Sequence, residues 1–436
     1  MEEEGQEVCF DALPDSVACA ILSKLRDAQT VAQCAAVCRR WRALCAAVDA
    51  LSFESFQLFE KRVGRASKAS CLEAIVSRML LRSDGVRELG ICYHPVEWPW
   101  IRGDHFSEDK VCAWLGHVRA SLEKLVLVDP NRERPQPLKL LQLSRCPRLR
   151  WLNLCYGIIP DLPGDMKRME SLRTCVLDLI AITDSALEAL LLLCPCLEDL
   201  RLNSCKGLRA PSLVSPRLAS LELVHEMDMC EATVACLSLD TPKLTRLSLS
   251  YVEELIADGE ALLELGLLCH VRPRIRDLSY LTALQMKGEV WLLESIVELV
   301  RLGANVTQLH VDAVIDNKSP IQLDALFRHL PLLTKLYIGA DMFECVQAGA
   351  AGVTGSATLR LPRLEEIVAV VCSGSNGCIA VLATLLRCSS SLRSLRINAH
   401  QLSKGVGNIT FFTDVLGLQR EFSQVEIVLD CPYTLL

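Results

Sequence analysis

The chain has 436 residues, more than one compact core usually requires, so two or three ordinary domains or one elongated repeat structure are expected. With 51% hydrophobic and 23% charged residues, it can bury enough apolar surface to offset its ordering entropy, which excludes a disordered, tail-like protein. A formal net charge of −7 supplies no basic stripe for phosphates and argues against a nucleic-acid partner.

The chain opens Met1-Glu2-Glu3-Glu4, acidic where a secretory signal needs positive charge before an apolar run. Its most apolar stretch, Ala186 to Leu197, is short and broken by Glu188 and Pro195, whereas a membrane span needs about 20 apolar residues. A soluble protein of the cytoplasm, the nucleus or both is expected, with no membrane partner. The basic patch Lys61, Arg62, Arg65 and Lys68 reads as a solvated helix face rather than a nuclear signal. The 22 cysteines include no Cys-x-x-Cys pair and no histidines at metal-finger spacing. They are expected to stay reduced as small buried hydrophobes, with no metal and no cofactor.

After an acidic tail over residues 1–8, a helical segment occupies residues 9–50. Following Leu13-Pro14, Asp15 can cap a helix that carries Val17, Ile21, Leu22 and Leu25 on one side, a face too apolar to be left in water. Thr30-Val31-Ala32-Gln33 reads as a capping box for the next helical stretch. Its stripe runs Val31, Cys34, Cys38, Trp41, Cys45 and Val48 at helical spacing. About forty residues cannot bury all of this alone, so the surplus implies docking.

Residues 51–436 are repetitive. Thr183 or Asp184 caps a helix bearing Leu187, Leu190 and Leu191; the helix stops at Cys194-Pro195, and Leu197-x-x-Leu200-x-Leu202-x-x-Cys205 then alternates like a half-buried strand. This is the leucine-rich repeat pattern. It recurs at Leu125/Leu127, Leu152/Leu154, Leu221/Leu223, Leu247/Leu249, Leu265/Leu267, Leu284/Met286, Leu309/Val311, Leu336/Ile338, Ile367/Ala369 and Leu395/Ile397. Weaker copies end on Ile91, Leu177 and Ile427. The mean period is about 26 residues, and the 77 leucines thereby find their place. Around Leu244, Leu262 and Leu281 the period shortens to about 18 to 19 residues, too few for a full helix, so loops or single turns are expected there. A two-layer α/β domain with longer crossovers is the other reading of the same alternation. His94 to Trp100, proline-bounded and aromatic, reads as a flank insertion or a recognition loop, and Gly349 to Ser356 as a flexible loop.

Phe10-Asp11-Ala12-Leu13-Pro14-Asp15, Ile21-Leu22-Ser23-Lys24-Leu25 and Val37-Cys38-Arg39-Arg40-Trp41-Arg42 together resemble an F-box, with Ala12 in place of the common acidic residue. An F-box before leucine-rich repeats resembles the F-box/LRR proteins, particularly those of plants. The resemblance implies an α/β fold in which a three-helix F-box precedes a leucine-rich-repeat solenoid, or horseshoe, of about 12–14 repeats. It implies a non-catalytic substrate receptor of a Skp, cullin and F-box ubiquitin ligase. Leu13, Pro14, Val17, Ile21, Leu22 and Leu25 would dock on the Skp-family adaptor, and through it reach the cullin and the RING protein. Val37, Cys38 and Trp41 would complete that interface or the F-box core. These residues could instead merely cap the solenoid, since terminal repeats need a cap.

Side chains between the consensus leucines should face outward on the concave sheet. Trp151, Asn153, Asp199, Arg201, Asn203, Arg246, Lys287, His310, Lys335, Tyr337 and Arg396 are the candidate contacts to an unidentified target protein. A small-molecule or hormone receptor using the same face, and a scaffold with no ubiquitin role, are the alternatives. No His-Glu-x-x-His, Gly-x-Ser-x-Gly or P-loop pattern points to catalysis.

Overall fold

The computed structural model describes residues 13–53, 68–92, 106–128, 140–162, 166–225, 233–269, 271–315, 321–347, 359–371, 376–399 and 407–430. They fall in two compact units, Met1–Leu208 and Arg209–Leu436. The acidic tail, Phe10 to Ala12, Lys61, Arg62 and Arg65, His94 to Trp100 and Gly349 to Ser356 lie outside the described residues.

The first unit begins with three short helices, α1 (Asp15–Ser23), α2 (Ala28–Ala35) and α3 (Arg39–Ala46). Their caps differ from those the sequence suggests. Pro14 holds the N-cap of α1 and Asp15 sits in its first turn, where an acid favours the helix dipole; the Asp15 carboxylate accepts from Arg40 Nε and Nη2 at 3.0 and 2.9 Å. Asp27, not Thr30, caps α2, accepting from the Thr30 N–H at 2.9 Å. The stripe from Val31 to Val48 is divided between two helices, because extended Cys38 caps α3 by accepting from the Trp41 N–H at 3.4 Å. Ala18, Leu22, Val31, Leu44, Cys45 and Val48 are buried and form the interior of this segment.

Strand β1 (Ala50–Phe53) follows directly, and its Ser52 N–H donates to the Arg26 carbonyl at 2.6 Å. Beside it run β2 (Glu88–Cys92), β3 (Lys124–Val128), β4 (Trp151–Ile159), β5 (Thr174–Ile182) and β6 (Asp199–Asn203). Every neighbouring pair is parallel and in sequence order. The register places Leu89, Leu125, Leu152, Cys175 and Leu200 side by side, and all five are buried. Between strands lie helices Lys68–Leu80, Glu108–Val118, Leu140–Leu143 and Asp184–Leu193. Thr183 caps the last, its hydroxyl accepting from the Ala186 N–H at 3.2 Å.

In the second unit β7 (Ser212–Val214), β8 (Ser220–Val224), β9 (Val234–Asp240), β10 (Arg246–Ser250), β11 (Val252–Ala257), β12 (Glu264–Leu268) and β13 (Arg272–Ile275) follow in turn. Then come β14 (Ala283–Trp291), β15 (Gln308–Ile315), β16 (Ile321–Gln322), β17 (Lys335–Ile338), β18 (Val346–Gln347), β19 (Glu366–Val370), β20 (Ser394–Asn398) and β21 (Glu426–Asp430). The main parallel run is β8, β10, β12, β14, β15, β17, β19, β20, β21. One leucine or isoleucine per strand, from Leu221 and Leu247 to Leu395 and Ile427, aligns across it.

The short repeats hold more structure than the sequence suggests. β11 and β13 occupy the two shortest repeats, where no room is left for a helix, and with β7 and β9 of the two repeats before them they form a second parallel sheet in the order β13-β11-β9-β7. An extended strand rises more than twice as far per residue as a helix, so a short connection crosses the repeat and satisfies its backbone in one step. Helices return in the longer repeats, at Leu293–Leu302, Leu323–Phe327, Ala340–Cys345, Asn376–Cys388 and Gly407–Glu421.

Residues in the left-handed region recur late in β4 and β5 and directly after β6, β10 and β12. Tyr156, Leu179 and Ser204 in the first unit have φ of 59°, 54° and 49°, at matching register positions. Tyr251 and Cys269 in the second have 54° and 101°. Such geometry costs a non-glycine residue about 1–2 kcal/mol; β4 and β5 stay paired beyond it, from Gly157 with Ile180 to Ile159 with Ile182. Threonines just ahead of several strands tie successive repeats: the Thr245, Thr282, Thr307 and Thr334 hydroxyls donate to the carbonyls of Ala219, Leu263, Thr282 and Thr307 at 2.9–3.2 Å.

Candidate functional site

Two surfaces carry the residues singled out from the sequence. The first is the helical segment. Val17, Ile21 and Leu25 recur every four residues along α1 and its end and remain 43%, 44% and 39% exposed, and Val37, between α2 and α3, is 65% exposed. Pro14 and Cys38 are exposed, and Leu13 and Trp41 are half-buried. Leu22 departs from the expectation: it is 2% exposed, turned inward, because it shares with buried Ala18, one turn earlier, the face of α1 that packs on α3, about 100° round from Ile21. Leu22 therefore holds the helices together, and Cys38 has a local role as the α3 cap. The Arg40 guanidinium, bonded to Asp15 and to the Leu13 carbonyl, fixes α3 against the start of α1, so the exposed apolar side chains sit on a rigid support. Burial, followed by the neighbouring Cys34 and Cys19, pushes the Cys45 thiol up to about 11, and a thiol so held is unreactive.

The second surface is the outward face of the strands, and its expected residues divide between the two units. In the first, Lys124 Nζ lies 4.7 Å from the centre of the Trp151 ring, a cation–π contact. Asp199 accepts from Arg201 Nη2 at 3.1 Å and Nε at 3.4 Å, and Asn203 donates to Asp178. Burial raises the Asp178 carboxyl, while Asn203 and Arg201 oppose the shift. Asn153 is half-buried, in register with Val126 and Val176. Beside these residues, Cys92, Val128 and Tyr156 form a separate small apolar cluster, packed by Val126, Cys155 and Leu179; the leucine pattern gave no sign of it, since none of its strand positions is a consensus leucine.

In the second unit the middle outward row runs Glu222, Ser248, Gly266, Gln285, His310, Tyr337, Val368, Arg396 and Val428. The His310 and Tyr337 rings stack with centroids 3.7 Å apart at 31°, and His310 Nδ1 meets Gln285 Nε2 at 3.4 Å. Burial, helped by the Lys287 charge, pushes the His310 imidazole down to about 4, so it is neutral at physiological pH. Burial and the nearby Asp312 raise the Tyr337 phenol. Lys335 pairs with Glu366 at 3.3 Å and Arg396 with Asp430 at 3.7 Å, whereas Arg246 is exposed. Among the described residues no group of three or more His, Cys, Asp or Glu is placed to hold a metal ion, and no helix is long and apolar enough to cross a membrane.

Family models match both parts of the chain, an F-box-like segment and a leucine-rich-repeat segment, and the relatives it matches are F-box and F-box/LRR-repeat proteins of Arabidopsis thaliana. Residues 10–51 match the F-box-like family, and residues 111–281 match the leucine-rich repeats described for the FBD-associated F-box protein At5g56370. The chain is 24% identical over 423 residues to the F-box protein At1g10780 of Arabidopsis thaliana, covering 93% of this chain and 96% of that protein. It is 28% identical over 215 residues to the F-box/LRR-repeat protein At1g67190 of the same plant, about half of each chain at 48%. It is also 28% identical over 258 residues to the putative F-box protein At3g58860, 58% of this chain and 54% of that one. Proteins that combine the two modules are generally non-catalytic adaptors that bring substrates to SCF-type ubiquitin ligases, and an F-box generally binds a Skp-family adaptor.

Proposed function

We propose that this chain is the substrate receptor of a Skp, cullin and F-box ubiquitin ligase, acting in the cytoplasm or nucleus. The observation that carries the reading is the row Val17, Ile21, Leu25 and Val37, apolar and exposed on helices that Arg40 and Asp15 hold rigid. Solvent-exposed aliphatic side chains clustered on a preorganised support are what an obligate docking partner covers. The adaptor covers them, the cullin and RING protein join through the adaptor, and the outward strand residues hold a target protein. Ubiquitin transfer then gains from proximity supplied by the complex, with no bond chemistry on this chain. The test is gel filtration at low salt of the full-length protein with a purified Skp-family adaptor. Co-elution as one complex is expected, and separate elution at micromolar concentrations of both would refute the reading.

A further inference from the structure

The outward face of the second unit contains a vacancy in an otherwise filled lattice of side chains. Gly266 occupies the middle row, and a Cβ built there would meet only ordinary contacts, Ser248 Oγ at 3.4 Å and Gln285 Oε1 at 3.7 Å. Arg246 on β10 and Lys287 on β14 flank this floor diagonally, from the row before and the row after it. With two strand spacings across and four residues along, Arg246 and Lys287 are about 16 Å apart and each about 8 Å from Gly266, so each long side chain extends towards the space over it from its own side.

These two cations differ from the others on the face. Lys335 and Arg396 pair with Glu366 and Asp430, whereas among the described residues no ion pair joins Arg246 or Lys287 to a carboxylate. Asp312, which faces Lys287 in register, turns elsewhere: its carboxylate fills the space that a Cβ at Gly339 would need. Among the described residues Lys287 is thus half-buried without an ion pair, an arrangement that an arriving anion relieves.

We propose that the recess over Gly266, bounded by Arg246, Ser248, Gln285 and Lys287, is the anion-binding subsite of the target-recognition face, and that it takes an aspartate or glutamate side chain of an extended acidic segment. The proposal rests on the substrate-receptor reading and names the chemistry of its ligand. The Ser248 hydroxyl donates to the entering carboxylate and the two cations neutralise it. The Gln285 amide turns to present Nε2, and the 3.4 Å contact with His310 Nδ1 persists with the imidazole donating instead. A singly charged carboxylate fits better than a phosphate, because Glu264 lies beside Arg246 and Glu222 beside Ser248 in register and both repel a second negative charge.

The test uses the full-length protein and three fluorescent peptides on a Gly-Ser background, with Asp-Glu-Asp-Glu, paired phosphoserine or Lys-Arg-Lys-Arg at the centre, read by anisotropy. The acidic peptide is expected to bind most tightly, and more weakly at about 300 mM than at about 50 mM salt. Lys287→Gln and Arg246→Gln should each weaken it about tenfold, with partial recovery in Lys287→Arg. Gly266→Val should abolish binding by filling the floor, with an unchanged melting curve showing that the strand still folds. Wild-type affinity in Lys287→Gln, no acidic-peptide binding at about 1 mM, or preference for the basic peptide would overturn the proposal. A phosphoserine peptide binding tenfold tighter would overturn the carboxylate assignment. The adaptor is titrated separately: its failure to bind, with the peptide result intact, removes the ligase reading alone, and the converse removes only the anion subsite.

Discussion

Replacing Ile21 by aspartate separates docking from folding. Val17, Ile21, Leu25 and Val37 together expose the equivalent of nearly two whole aliphatic side chains. Complete burial of one contributes about 2 kcal/mol, so covering the patch is worth about 4 kcal/mol, or about a thousandfold in Kd. Ile21→Asp forfeits about 1 kcal/mol of this and adds about 2 kcal/mol for setting a carboxylate against apolar surface, so the adaptor should bind about a hundredfold more weakly. The melting temperature should hold, because the site is exposed in the isolated chain. Leu22→Ala, one residue on, should do the reverse: it empties a buried position and costs about 2–5 kcal/mol of folding stability. Leu192→Asp, on an exposed position of helix Asp184–Leu193, is the control and should leave adaptor affinity unchanged. Isothermal titration of folded variants against the adaptor reads all three. Unaltered affinity in Ile21→Asp, or an equal loss in Leu192→Asp, would refute the reasoning.

Two glycines should respond oppositely to alanine. At Gly259, φ is +76° and a Cβ would overlap the Asp277 carbonyl oxygen, so Gly259→Ala should lower the urea midpoint by about 2–4 kcal/mol equivalent. Gly116, inside helix Glu108–Val118 with open space around it, should gain about 0.5–1 kcal/mol. Thr183→Ala removes the hydroxyl that caps helix Asp184–Leu193 and should cost about 1 kcal/mol, read by the same denaturation. His310 carries a pH signature: its folded pKa of about 4 lies below the unfolded value near 6.5, so the unfolded chain binds the extra proton and stability falls as pH drops from about 6.5 to about 4. His310→Gln should flatten that part of the wild-type curve, and an identical slope in the two proteins would refute it.

The leucine spacing determined where the strands lie. A buried leucine at every second position followed by a fixed interval is a local, periodic demand, and each strand that it marks, including weak copies such as that ending on Ile427, is a parallel strand in register with its neighbours. The Leu-Pro, Ile-Leu-x-x-Leu and Val-Cys-x-x-Trp elements likewise marked the F-box, because they recur at set spacing within one short segment. What periodicity could not decide is what competes for the same group. The sequence pointed to Thr30 as the cap of α2, but Asp27 holds it, accepting from both the N–H and the hydroxyl of Thr30; one long stripe became two helices because Cys38 found the Trp41 N–H. Leu22 and Ile21 are equally apolar and adjacent, yet only the packing of α1 on α3 decides which faces inward. The second sheet extends beyond the two shortest repeats into β7 and β9, because neighbouring repeats supplied the partner backbone. The recess at Gly266 depends on Asp312 turning away from Lys287 over Gly339, an arrangement of three strands that no window of sequence contains. Sequence therefore determined the lattice of buried positions, which each repeat specifies for itself; the charges left unpaired on its surface were decided by neighbours brought together only in the fold.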